Sequence, residues 1–267
     1  MLKTRVLVAV VALPILVGLI VWGGWAFALL VAAALLIGGG EYSRLMRKGG
    51  FHAPEWLTLA LVALPLGATW FDHSDWYEPG LAALLMLGML EAVINMEQGR
   101  KQPVYDVGLA VFGGVYIGWL GRTLLAVRDM PEGAYLTLFL YGCVAISDSA
   151  AYFVGRRWGR RKLSPRVSPK KTWEGYWGGV VAAVIFGALA GELPDSDVLT
   201  WDHGAMIGLL IGLLGAVGDL AISAVKRQVG AKDSGRLIPG HGGILDRIDS
   251  VLVAAALGYY YLLWFVV

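Results

Sequence analysis

Nine apolar stretches, each close to the length needed to cross a bilayer, constrain this chain more than anything else in it. About 20 helical residues span a hydrocarbon core. No water is present there to take up backbone N–H and C=O groups, so runs of this length satisfy their own hydrogen bonds as α-helices. The stretches fall at 6–22, 25–40, 56–71, 80–96, 104–120, 134–154, 175–193, 203–224 and 249–267. Composition agrees: 57% of the 267 residues are hydrophobic and 16% charged, against about 45–50% and 25% in soluble domains. The expected fold is all-α, a polytopic helical membrane protein of about nine transmembrane helices. Lys3 and Arg5 precede the first apolar run, but no small-x-small cleavage site follows, so that run is read as a spanning helix.

Charge distribution orients the chain. With the N-terminus in the cytoplasm, 20 of the 22 Lys and Arg fall in cytoplasmic segments, and only Arg122 and Arg128 lie outside. The outer loops carry acids instead, among them Asp72, Asp75, Glu78, Asp195, Asp197 and Asp202. An odd number of spans then puts the C-terminus outside. Trp22, Trp25, Trp56, Trp70, Trp76 and Trp119 lie near span ends, where amphipathic rings anchor at headgroup depth. Glu91 and Asp106, also near span ends, read as snorkelling or capping residues. The single cysteine, Cys143, excludes an internal disulfide and reads as apolar filler. The net charge of +2 says little about partners; the bilayer is expected as one and nucleic acid is not. No repeat or linker divides the chain, so 1–267 reads as one integral membrane domain. In it, 1–130 is mainly scaffold, and 134–267 holds the catalytic helices with cytoplasmic loops 155–174 and 226–247.

Reactive chemistry concentrates in those two loops. The first follows Asp148 and carries eight basic residues, from Arg156 to Lys171, among Gly155, Gly159, Pro165 and Pro169. Such a tract serves as a positive-inside stop that grips anionic headgroups. It also suits a triphosphate cradle, because Arg offers paired donors to phosphate. The second stretch, Asp219 to Asp249, packs four Asp, two Lys, three Arg and His241 into thirty-one residues between apolar helices. Asp219, Ser223, Lys226 and Arg227 share one helix face by their spacing. Asp246 and Asp249 share a face at the entry to the last helix. Carboxylates from two helices suit a hard divalent cation. The competing account is charge pairing alone, Asp219 with Lys226 or Arg227 and Asp246 with Arg247. Between the helices, Pro239 to Gly243 forms a glycine-rich turn whose free amides suit an anion. His241 has no other histidine near it in sequence and is a poor metal signal.

The run Ser223-x-Val225-Lys226-Arg227-x4-Lys232-Asp233-x-Gly235-x2-Ile238-Pro239-x-His241-Gly242-Gly243-Ile244-x-Asp246-Arg247-Ile248-Asp249 resembles the signature of the phosphatidate cytidylyltransferases, or CDP-diacylglycerol synthases, with no departure in it. Asp148-x2-Ala151-Tyr152-x2-Gly155-Arg156 and Ser168-Pro169-Lys170-Lys171-Thr172-x-Glu174-Gly175 also look like that family. The likeness is strongest from 142 to 250, and the N-terminal half matches only in being hydrophobic.

The resemblance implies that CTP and phosphatidate give CDP-diacylglycerol and pyrophosphate at the cytoplasmic side of the inner membrane. It implies Mg²⁺, with a monovalent cation such as K⁺ beside it, and a homodimer. Carried onto this chain, it implies metal ligation by Asp219, Asp246, Asp249 and Asp148. Ser223, Lys226, Arg227 and Arg247 join Asp219 and Asp246 in the catalytic set. Substrate contacts fall to Arg156, Ser168, Lys170, Lys171, Thr172, Glu174, Lys232, Asp233, His241, Gly242 and Gly243. Two other classes remain to be weighed. A CTP-dependent polyprenol or lipid kinase would release CDP in place of pyrophosphate. An ion-coupled transporter would use buried acids as an ion path, although the polar residues here sit mostly in the C-terminal half. The CDP-alcohol phosphotransferase pattern is absent from the sequence.

Overall fold

The computed structural model describes residues 2–192, 198–237 and 242–266. Among these, nine α-helices follow one another: α1 Leu2–Trp22, α2 Gly24–Lys48, α3 Glu55–Trp70, α4 Tyr77–Glu97, α5 Pro103–Asp129, α6 Gly133–Trp158, α7 Trp173–Gly191, α8 Trp201–Gln228 and α9 Leu245–Phe265. Each apolar stretch of the sequence has become one helix. Seven of the helices are long and apolar enough to cross a membrane, and the apolar helical stretches Val10–Trp22 and Glu55–Trp70 are shorter. The protein is thus a polytopic helical membrane protein.

Two details differ from expectation. Arg122 and Arg128 lie on α5, which runs on to Asp129, and not in a loop; the Arg122 guanidinium lies 4.1 Å over the Trp119 ring. The basic segment before α7 is no simple loop either. It forms an antiparallel hairpin, β1 Lys162–Ser164 with β2 Ser168–Thr172, pairing Lys162 with Thr172 and Ser164 with Ser168. Short strands built from Lys, Ser and Pro lack the apolar alternation that marks a strand in sequence.

The chain divides into two compact units, Met1–Leu125 with Lys226–Ile248, and Ala126–Val225 with Asp249–Val267. In the first unit, α1 and α2 turn at Gly23 and Gly24, which have φ of 71° and 51°. Helix α5 lies close on α3 through Gly118, where a Cβ would stand 2.7 Å from Val62 Cα. Asp106 accepts the His52 N–H at 2.8 Å, so it ties the start of α5 to the segment before α3 and does not snorkel. Glu91 accepts the Trp56 indole N–H at 2.6 Å and links α4 to α3.

In the second unit, α6, α7 and α8 run antiparallel in turn. Phe186 packs on Gly142 and Val154 on Gly178, while Tyr176 donates its hydroxyl to the Leu213 carbonyl at 2.9 Å. Helices α7 and α8 meet backbone to backbone along Gly187, Gly204, Gly208 and Gly212; a Cβ on Gly212 would stand 2.8 Å from Val180 Cα. In lipid, where apolar side chains gain nothing from meeting each other, such small-residue stripes let helices gain close packing. Cys143 is buried in this unit, as expected of filler.

Candidate active site

The first polar cluster belongs to the unit that holds Lys226–Ile248. Helix α8 stops in a tight turn: Gly230, at φ 65°, donates its N–H to the Arg227 carbonyl at 3.1 Å, and Ala231 donates to the Lys226 carbonyl at 2.8 Å. This pairing of a six-to-one and a five-to-two hydrogen bond turns the chain sharply back, and the left-handed residue is a glycine for that reason. Arg227 adds a bond from its guanidinium to the Ala231 carbonyl at 3.2 Å. The chain then returns through Ser234 and, from Gly242, enters α9 at Leu245.

Asp246 stands in the first turn of α9 and gathers donors from both sides of this loop. Its Oδ1 accepts the Lys226 ammonium at 2.5 Å. Its Oδ2 accepts the Ser234 N–H at 2.8 Å, the Ser234 hydroxyl at 2.9 Å and the Gly243 N–H at 3.1 Å. The pair is dry, with 10% of the Lys226 side chain and 7% of the Asp246 side chain exposed. A buried ion pair holds only when further hydrogen bonds satisfy it, and here backbone amides do so.

Glu41 completes this cluster, a residue that sequence reasoning had left in the scaffold half. It lies on α2 at 2% exposure. Its carboxylate accepts the Ser234 hydroxyl at 3.0 Å, the Ile244 N–H at 3.1 Å and the Leu245 N–H at 2.9 Å. The last two are unpaired donors at the N-terminus of α9, where a negative charge is also favoured by the helix dipole. A Cβ added to Gly235 would collide with Glu41 Oε1, and one added to Gly243 with Glu41 Oε2 and Ser234 Oγ. Two glycines of the signature therefore make room for a carboxylate from a distant helix. The only signal in the sequence was a lone acid just past the end of an apolar run, after Gly38-Gly39-Gly40.

The second cluster belongs to the other unit. Asp219 on α8 accepts the Ser223 hydroxyl at 3.0 Å, one turn along, and pairs with the Lys171 ammonium of β2 at 2.7 Å. This pair is wetter, with 27% and 35% of the two side chains exposed. The hairpin that presents Lys171 is fastened at both ends. Thr172 is buried and caps α7, its hydroxyl oxygen accepting the Gly175 N–H at 3.2 Å. Glu174 accepts the backbone N–H groups of Arg160 and Arg161 at 3.0 and 3.2 Å. Gly155 and Gly159 close against Thr172, whose Oγ1 would lie 2.9 and 2.7 Å from a Cβ at those positions. These glycines serve the packing of the hairpin on α6.

The anticipated site residues thus sort into groups. Lys226, Asp246 and Gly243 come together in one unit; Asp219, Ser223 and Lys171 do so in the other. The charge pairs differ from those anticipated, since Asp219 takes Lys171 and Asp246 takes Lys226. Arg156, Lys170, Lys232, Asp233 and Arg247 are exposed, as is Asp148 on α6; Ser168 and Gly242 are half-buried. Arg156 donates to the Tyr152 hydroxyl at 3.3 Å. Asp249 is buried and accepts the Ser250 N–H at 2.7 Å. His241 lies outside the described residues, as do Ile238, Pro239 and Gly240.

A polytopic helical membrane protein with Asp–Lys–Ser clusters at the ends of its last helices is the class that fold and site define. Residues 3–265 match the Cytidylyltransferase family, and the chain belongs to it; it is a nucleotidyltransferase. The phosphatidate cytidylyltransferase of Brucella suis is 38% identical over 97% of this chain and 92% of its own length. Those of Synechocystis and Bacillus subtilis are each 32% identical, over 96% and 98% of this chain and 95% and 98% of theirs.

Proposed function

We propose that this chain transfers the cytidylyl group of CTP to phosphatidate, giving CDP-diacylglycerol and pyrophosphate for phospholipid synthesis. The observation that carries the assignment is the near end-to-end match to three relatives named for that enzyme. A phosphatidate phosphate oxygen attacks the α-phosphorus of CTP. The new O–P bond forms as the bond to the oxygen bridging towards the β-phosphorus breaks, and pyrophosphate leaves with that electron pair. The attacking oxygen is already anionic near neutral pH, so no general base is required. The protein's share is positioning and charge neutralisation. Exposed basic side chains offer themselves to phosphate oxygens in each unit, Arg156 and Lys170 in one and Arg227, Lys232 and Arg247 in the other, and Ser223 offers a hydroxyl beside Asp219. Lys171 is a counter-ion for which an arriving triphosphate competes with Asp219.

Mg²⁺ is the proposed cofactor, with a monovalent cation such as K⁺ beside it. The carboxylates fit a hard cation in kind. In number they are few: among the described residues no group of three or more His, Cys, Asp or Glu gathers. A Mg²⁺ ion ordinarily takes only one or two carboxylates, with phosphates and water for the rest. Asp219 fits best, because its carboxylate and its Lys171 partner are both partly exposed. Asp249 and Asp148 are further acids of the same unit; Asp246, in the other unit, would take a cation only by giving up Lys226. When bound, the ion supplies neutralisation of the phosphate charges. The bias of Lys and Arg among the loops supports a cytoplasmic site in the inner membrane, and a homodimer is the proposed assembly.

The test is an assay of the purified chain with α-labelled CTP and phosphatidate, with and without Mg²⁺. Labelled CDP-diacylglycerol and pyrophosphate in equal amounts are expected, only with the ion. Release of CDP with a newly phosphorylated lipid, or ion flux across sealed vesicles without lipid product, would overturn the assignment.

A further inference from the structure

We infer that Glu41 is a positioning residue for this reaction, acting on Asp246 through the hydroxyl of Ser234; the inference rests on the function just proposed. A carboxylate on an apolar helix at 2% exposure is costly unless it is fully used. Both Glu41 oxygens are used, and all three donors come from the signature segment. Ser234 lies on the way into the loop, and Ile244 and Leu245 stand where it enters α9. One side chain from α2 thus ties together the two ends of the segment that carries Asp246.

Ser234 makes the connection specific. Its hydroxyl oxygen lies 3.0 Å from Glu41 Oε2 and 2.9 Å from Asp246 Oδ2. A hydroxyl carries one proton, so the two carboxylates compete for a single donor. What Glu41 takes, Asp246 Oδ2 loses, and Asp246 Oδ1 is the atom that holds Lys226. Replacing the Glu41 charge therefore alters how tightly Asp246 is held and how readily Lys226 leaves it. Among the described residues, the side-chain link from Glu41 to Asp246 runs through Ser234. Partners of this outer kind are known to change the activity of the groups they orient by about 10–100-fold.

The test uses the full chain in detergent with Glu41→Gln, Glu41→Asp and Ser234→Ala. Three quantities are read: kcat and KM for CTP, thermal unfolding, and hydrogen exchange of the amides from Gly242 to Ser250 without nucleotide or metal. Glu41→Gln keeps length and one acceptor but loses the charge. It should lower kcat about 10–100-fold, leave KM for CTP little changed, and speed exchange at Ile244 and Leu245. Glu41→Asp, which restores the charge at shorter reach, should recover part of kcat. Ser234→Ala should show a smaller loss of the same kind, since the Ser234 N–H still reaches Asp246. A wild-type kcat in Glu41→Gln overturns the inference, as does lost activity that merely follows the folded fraction with exchange unchanged. Should Glu41→Gln not fold, a wild-type kcat in Ser234→Ala overturns it. If the wild-type chain makes no CDP-diacylglycerol, the functional assignment fails on its own. Exchange then still decides the clamp, and unchanged rates at Ile244 and Leu245 sink it.

Discussion

The two polar clusters use the same three residue types, Asp, Lys and Ser, and treat them in opposite ways. Around Asp246 the pair with Lys226 is sealed, and two backbone amides, a hydroxyl and a second acid from α2 complete the shell. Around Asp219 the pair with Lys171 is about one-third exposed and is joined by Ser223. Burial decides what each pair is good for. Water beside Asp219 and Lys171 lowers the cost of separating them, so a phosphate or a cation can take one partner's place. Separating Lys226 from Asp246 strands a charge away from water. The wet pair can part readily, while the dry pair holds the loop in one shape until another cation takes the place of Lys226.

Four measurements would break or sharpen that contrast. The largest effect is expected from Asp246→Ala, which leaves Lys226 buried without its anion; thermal or denaturant unfolding should show a loss of about 3–5 kcal/mol. Adding Lys226→Met to that background should restore part of the loss, because the stranded charge is gone. A double variant no more stable than the single one would show that the pair is not dry. Next, Asp219→Asn should cost on the order of 100-fold in turnover yet under about 1 kcal/mol in stability. Equal damage to both would erase the distinction between the clusters. Third, Gly230→Ala should destabilise by about 1–2 kcal/mol, since its φ of 65° is left-handed. The loss should appear as faster exchange in the 231–237 loop. The smallest effect is the coupling between Lys171→Met and Asp219→Asn in a double-mutant cycle of stability, expected below about 1 kcal/mol and weaker in high salt.

The helices were legible because a bilayer demands runs of a fixed minimum length, and each of the nine apolar stretches stands within a few residues of a helix. The segment from Ser223 to Asp249 was legible as chemistry because it sets acids within or at the edge of spanning helices, where charge is costly and rare. Partner choice was not. Lys171 reaches Asp219 across 48 positions of sequence, and Glu41 reaches Ser234 across 193; no local pattern encodes either approach. Thr172 and Glu174 entered as substrate contacts through the family resemblance, with no structural role read from the sequence. In the structure the Thr172 hydroxyl caps a helix and the Glu174 carboxylate holds two backbone amides. Their spacing from the start of α7, at its N-cap and second position, was the readable clue.

The glycine seam between α7 and α8 has a mechanical consequence. With backbones in contact at Gly187, Gly204, Gly208 and Gly212, no gap is left there for an acyl chain to wedge into. Backbones packed this closely resist parting. Lys171 at the foot of that helix pair and Asp219 along it therefore keep a common frame, and a lipid with two fatty tails has to reach the phosphate chemistry through some other seam.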